Sequence, residues 1–316
     1  MLDMLLNPYY MQVASFILIN IILALSVYIT LSSGQLSLGS VGFMAIGAYT
    51  TALLTTNFNV PIIVGVLAGT AFAGILGILI GIPALRLKGV FLAIATLGFG
   101  EIVRVFLINL EPVTNGAIGI SGIPQMGNQI LVFFENFGFS PDAIGLQKNQ
   151  FVFLSIFLLL LIIVIVITAF FIRQSNSRVG RAFSAINMDE DAAASMGVNV
   201  TYYKVLAFTQ GAIIAGFAGA LYAHVMSYIS PGDFSYHRVV EVLTFTVFGG
   251  SEVVIGSIFG ATLLTLLPEV LRVINEYRYM IYGLLMVAMM YYRPQGIIDQ
   301  HVVRWFKNNF RKGKGA

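Results

Sequence analysis

The 316-residue sequence contains no cysteine, which excludes disulfides, thiolate catalysis and cysteine-ligated metals. Charge is almost as scarce: 10% of residues are Asp, Glu, Lys or Arg, against roughly a quarter in an ordinary soluble domain. From Met1 to Leu85 the only charged side chain is Asp3, so a soluble fold of that size would have nothing with which to cover its surface. A phosphate-binding GxxxxGK followed by Ser or Thr is also missing; the Gly313–Lys314 pair is followed by Gly315 and cannot cradle a nucleotide. No HExxH, nucleophile elbow or cluster of catalytic carboxylates occurs, which argues against a membrane enzyme. Nor is there a nucleic-acid-binding pattern, and the excess of three positive charges reads as loop placement. The first residues lack the basic region and small-residue cleavage site of a signal peptide, so the first apolar run is expected to stay in the mature chain.

What is present is apolar: 58% of residues are hydrophobic, and apolar runs bounded by polar or turn residues fall near 12–32, 38–56, 61–82, 89–110, 151–172, 205–226, 239–272 and 278–292. A bilayer crossing needs about 20 apolar residues, so the expected fold is all-α, a polytopic helical bundle of about 8–10 spans, with broken or re-entrant segments, forming a single transmembrane domain over 1–316. The run 239–272 is too long for one crossing and contains FGGSEVVIGS, 248–257. It is expected to be a half-helix, a non-helical break at Gly249 and Gly250, and a full span, a break tolerable at membrane depth only when enclosed by protein or water.

Basic residues cluster at Arg86 and Lys88, between Arg173 and Lys204, and in the tail from Arg293 to Lys314, which the positive-inside rule places together in the cytoplasm. Residues 111–150, with Lys148 as their only basic side chain, are then outside. Parity requires 239–272 to cross twice or re-enter. Three simple spans before Arg86 would put the N-terminus outside, and a broken second span would reverse it. Recurrent glycines, including Gly65, Gly69, Gly74, Gly77, Gly81, Gly211, Gly216 and Gly219, are expected to let helices approach closely.

The largest polar segment, residues 173–204, carries seven charges and is expected to lie in water, since each would cost roughly 2.5–3.5 kcal/mol at the centre of a membrane helix. Within it, 188–196 reads as a short helix, with acids in the first turn where the helix dipole favours them and Gly197 as its stop. Gly180 to Ile186 reads as a second short element. At membrane depth, Glu101 and Arg104 are spaced to share a helix face, either as an interhelical packing pair or as a gate. Gln35 and Ser37, at the Gly-rich start of the second span, are pathway candidates, together with Gly249 and Gly250. Glu269 and Arg272 repeat the spacing near a span end, where snorkelling explains them. Thr114, Asn115, Gly116 and Gly119 belong to a glycine-rich outer loop that is either a carrier site, a docking surface for an extracellular protein or plain flexible chain. His224 lacks a second ligand at metal spacing, so no metal is expected. The aromatic and basic tail, RWFKNNFRKGK, fits a membrane-surface anchor and a partner contact equally well.

Seven blocks in order carry a family resemblance: GQLSLGSVGFMAIGAY at 34–49, LRLKGVFLAIATLGFGEIVR at 85–104, TNGAIGISGIP at 114–124, GRAFSAINMDEDAAASMGVNV at 180–200, YISPGDF at 228–234, FGGSEVVIGSIFGA at 248–261 and YRPQGI at 292–297. Together they resemble the permeases of branched-chain amino acid ABC transporters, of the LivM subunit type. The SEVVIG run departs from that family's more frequent Gly-Thr and Gly-Pro pairs. The resemblance implies a bacterial inner-membrane importer subunit without a cofactor. Its implied partners are a LivH-type permease, LivG- and LivF-type ATP-binding subunits and an extracellular solute-binding protein. It also makes the polar segment the element that docks on an ATP-binding subunit, through Arg181, Asp189, Glu190, Asp191, Ala193, Met196 and Gly197. Urea, short amides or other amino acids are alternative cargoes within the family, and a stand-alone ion-coupled carrier or channel is the alternative outside it.

Overall fold

The structure, a computed structural model, describes residues 7–136 and 147–270 and scattered positions between 277 and 297. The tail from 298 onward and most of the expected span 278–292 lie outside the described residues.

Helix α1, Pro8–Ser32, starts where Asn7 caps the Tyr9 N–H and Pro8 presets the first turn. It has no charge, and every residue from Leu18 to Thr30 is buried, so it is the central post of the bundle. A non-helical stretch, 33–39, leads into α2, Ser40–Asn57, then α3, Ile62–Ala84, and α4, Val90–Asn109. Beyond a helical turn at Glu111–Thr114 and a 3-10 turn at Gly116–Ile118, strand β1, Ile120–Ser121, precedes α5, Met126–Asn136. Helix α6, Lys148–Ser175, is followed by the two short helices α7, Arg178–Met188, and α8, Glu190–Ser195, and then by α9, Val200–Met226. Strand β2, Tyr228–Ile229, pairs antiparallel with β1, and α10, Tyr236–Gly249, and α11, Val254–Val270, follow.

Five of these helices, α1, α3, α4, α6 and α9, are long and apolar enough to cross a membrane. Helix α2 is not among them, although its stretch reads as a span. It carries threonine and glycine and is shielded instead by protein, with twelve of its eighteen residues buried. Glycine makes that enclosure: a Cβ on Gly47 would stand 2.0 Å from the Gly216 carbonyl oxygen, and one on Gly219 1.9 Å from that of Met44. Helix α3 runs antiparallel to α9, with Gly74, Gly77 and Gly81 against Ile213, Ala212 and Phe208.

These contacts order the ends of the bundle. The 33–39 stretch, the α3–α4 turn and α7–α8 share one end, while β1, β2 and the start of α10 share the other. The chain makes three passes before Arg86, so α1 begins at the end opposite α7–α8.

Helices α10 and α11 form the expected broken hairpin. Gly249 lies against Gly256, and Gly260 against the Phe245 carbonyl, where an added Cβ would meet oxygen at 1.9 and 2.0 Å. At about 21 Å, the fourteen-residue α10 is too short to span a bilayer core of about 30 Å. Around the break at 250–253 the Gly250 N–H donates to Thr246 O, the Gly256 N–H to Val253 O, and the Ile297 N–H returns from the C-terminal region to Phe248 O at 3.2 Å.

Candidate functional site

The polar island folds as two capped helices tied to the bundle. Ser177 accepts from the Val179 and Gly180 N–H groups to start α7, whose buried residues are Gly180, Ala182, Phe183 and Ile186. Gly180 fits because a Cβ would stand 2.4 Å from the carbonyls that end α6, so α7 folds back hard on that helix. Phe183 meets Tyr203 edge to face at 6.2 Å.

The second helix is shorter than 188–196. Asp189 takes extended backbone and its carboxylate accepts from the Asp191 and Ala192 N–H groups at 2.9 Å, so it caps α8. Met188 is thereby left to end α7. Gly197, at φ +84°, supplies the left-handed stop expected of it.

The three acids therefore have different tasks. Asp189 is a cap. Glu190 binds the Lys204 ammonium at 2.6 Å, across 14 residues of chain, and Lys204 is buried. Of the three carboxylates only that of Asp191 has no hydrogen bond or ion pair among the described residues. Ala193, expected on the docking face, is buried beneath α8 instead. Met188 and Met196 project almost completely, at 89% and 87% exposure. Arg181 is exposed and, with Arg178, Met196, Asn199, Tyr202 and Tyr203, lines a groove of about 510 Å³.

Gln35 joins this mount rather than an open pathway. It is buried, and its Nε2 donates to Ser33 Oγ at 2.8 Å and to the Lys204 carbonyl at 3.0 Å. Gly34 lies against Asn187 of α7. Ser37 does face a cavity, shared with Ser26, Thr30 and Ser40, but at about 10 Å³ it has room for one water at most. The Glu190–Lys204 tie yields a prediction. Glu190→Ala strands a buried ammonium, whereas Lys204→Ala strands a carboxylate with more access to solvent, so the first should cost more, about 2 kcal/mol. Thermal melts of the purified variants check this, and the reverse order would show that Lys204 has another counter-charge.

At membrane depth, Glu101 and Arg104 do pair, with Arg104 Nε donating to Glu101 Oε1 at 2.9 Å. The pair forms within α4, not between helices of this chain, and it faces outward. Sequence reading passed over a second intramembrane pair, Arg238 with Glu241 at 2.7 Å, although the same three-residue spacing marks it. Arg238 also donates to the Asn20 side-chain oxygen Oδ1 and lies 5.1 Å above the Phe16 ring, so it is enclosed within the subunit.

The glycine-rich segment after α4 packs against the end of that helix and against Ile229. Thr114 is buried, its hydroxyl donating to Leu107 O at 2.6 Å, and Gly116 and Gly119 are buried with it. Gly119 must be glycine where a Cβ would stand 2.1 Å from Ile229 O. Of the four residues named there only Asn115 is exposed, joined by Ile118 at 78% exposure, which the glycine pattern did not single out. His224 is a helix-end histidine whose Nδ1 lies 2.8 Å from Pro124 O, and no metal-binding cluster occurs among the described residues. Glu269 accepts a hydrogen bond from Tyr9 at the end of α11, while Arg272 lies outside the described residues.

A family model described as the permease component of the branched-chain amino acid transport system matches residues 9–290. The chain belongs to that permease family. Its relatives include the high-affinity branched-chain amino acid transport system permease protein LivM of Escherichia coli, 37% identical over 96% of this chain and 74% of the relative. The LivM protein of Salmonella typhimurium is 38% identical over 91% of this chain and 69% of its own length. A probable LivM of Methanocaldococcus jannaschii is 24% identical over 78% and 72%. No solved structure matches significantly. The resemblance read from the seven blocks is thus borne out, and the permease is a helical membrane protein.

Proposed function

We propose that this permease is the LivM-type membrane subunit of an ATP-driven importer of leucine, isoleucine and valine in a bacterial inner membrane. A LivH-type permease, LivG- and LivF-type ATP-binding subunits and an extracellular binding protein complete it. The island and the C-terminus are cytoplasmic in this reading, and β1, β2 and the exposed Asn115 and Ile118 face the binding protein.

The observation that carries the coupling role is the mounting of α8. Asp189 caps it, Glu190 ties it to Lys204 of α9, and Gln35, just past the end of α1, bonds the Lys204 carbonyl, while Asp191 projects from α8 and Met188 and Met196 project on either side of it. A push on those side chains reaches α9 through the Glu190–Lys204 pair and the stretch after α1 through Gln35, rather than being absorbed by a loose loop. Methionine suits such a contact because its flexible thioether conforms to a partner groove.

The test is reconstitution in liposomes with a LivH-type permease, LivG- and LivF-type ATP-binding subunits and a branched-chain amino acid binding protein. ATP on the island side, with binding protein opposite, is expected to drive accumulation of all three branched-chain amino acids. Accumulation of urea or a short amide instead would reassign the cargo. Uptake by this chain alone, following an ion gradient without ATP, would replace the importer by a carrier.

A further inference from the structure

The two intramembrane ion pairs described above face opposite ways. Arg238 and Glu241 turn inward, to Asn20 and Phe16. Glu101 and Arg104 turn outward, with 46% and 28% of their side chains exposed. Glu101 lies on a stripe with Phe91, Ile94, Gly98 and Val105 that is exposed along its length. Eleven residues into α4, it is about 17 Å from the helix start, near the middle of a bilayer core of about 30 Å. Hydrocarbon solvates neither a carboxylate nor a guanidinium, and such groups in membrane helices face protein or water.

Gly98 is an independent observation on the same stripe. A Cβ there would meet nothing within 4 Å, so nothing inside this chain requires glycine, unlike Gly47 or Gly219, which sit against backbone. Bare backbone one turn from an ion pair gives an approaching helix both close contact and hydrogen-bonding groups. Other outward faces are different. Ile63, Leu67, Ile75 and Leu79 on α3, and Leu158, Ile162 and Ile165 on α6, are apolar throughout and suit lipid.

We infer that the outward face of α4 is the surface on which the second permease subunit docks, packing a helix over Gly98 and setting polar side chains against Glu101 and Arg104. This rests on the importer reading above. The absence of cysteine allows a direct test. Single Gly98→Cys and Ile102→Cys variants, with Ile75→Cys and Leu158→Cys as comparisons, are labelled with benzophenone maleimide in the complex purified with its second permease. Illumination is expected to join the second permease to positions 98 and 102, and lipid to positions 75 and 158. Lipid adducts at 98 and 102, products containing two copies of this chain, or joining from 75 or 158 instead would each overturn the inference. The importer reading would survive those outcomes, because the second permease still co-purifies; its failure to co-purify would overturn both. Gly98→Leu is further expected to lower co-purification of the second permease at least tenfold without altering insertion of this chain. Unchanged recovery would also count against the inference.

Discussion

Gly219→Leu is expected to abolish accumulation of folded permease. Gly219 packs on the backbone of α2, where even a Cβ would stand 1.9 Å from Met44 O. Ordinary contact requires about 3.5 Å, so the helices would have to part by more than an ångström. They cannot part locally, because Gly47 and Gly216 hold the same seam one turn away, and an added Cβ on Gly216 would meet Ala73 of α3 at 2.3 Å. In a bilayer, where lipid is as apolar as the helix surfaces, association depends on such close approach. The smaller change Gly219→Ala is expected to cost on the order of 3 kcal/mol, the upper end for overpacking, since backbone must move rather than a side chain. Gly98→Ala, in open space, should leave the isolated chain unchanged. Heating detergent-solubilised variants and following the monodisperse peak separates these cases. A Gly219→Ala protein that melts with the natural chain would show that the seam yields cheaply.

Why the fold was largely legible in the sequence, and the site less so, follows from the same residues. Long charge-free runs mark membrane helices whatever their neighbours, and Gly249 and Gly250 announced the α10–α11 break because lipid does not tolerate unpaired backbone. Periodicity failed for orientation, because helices such as α3 and α4 are apolar on faces that meet protein and on faces that meet lipid alike. The spacing of Glu101 and Arg104 therefore predicted their pairing but not that the pair points away from this chain's core. Likewise the acids of the island are visible in sequence, but Glu190 is claimed by Lys204, 14 residues away on another helix, beyond the reach of any three- or four-residue rule. Asp189 ends one helix by capping the next, and so α8 is shorter than its alanine run suggests. Arg238 was legible by spacing alone, whereas Asn20, 218 residues distant, was not.

Substituting Met188 and Met196 together by aspartate is expected to lower ATP-driven uptake at least tenfold while leaving insertion and the fold intact. The two thioethers are nearly wholly exposed and meet none of the core of this chain, so their loss costs the permease little stability of its own. They are nevertheless the only large apolar groups at the two ends of α8, and buried apolar anchors rather than rim charges carry most interface energy. A tenfold loss of association corresponds to about 1.4 kcal/mol, less than two buried thioethers typically supply. Asp191→Arg should act more weakly and in a salt-dependent way, as a rim charge does. Substituting Asp189 or Glu190 would not isolate docking, because the first removes the α8 cap and the second frees Lys204. The measurement is paired: uptake by reconstituted complex, and recovery of the ATP-binding subunits when the permease is pulled down. Loss of both places the contact on α8. Loss of uptake with full recovery makes the methionines transmitters of motion rather than anchors. Uptake and recovery that both survive would move the docking surface off α8 altogether, to the neighbouring groove lined by Arg178, Arg181 and Tyr202.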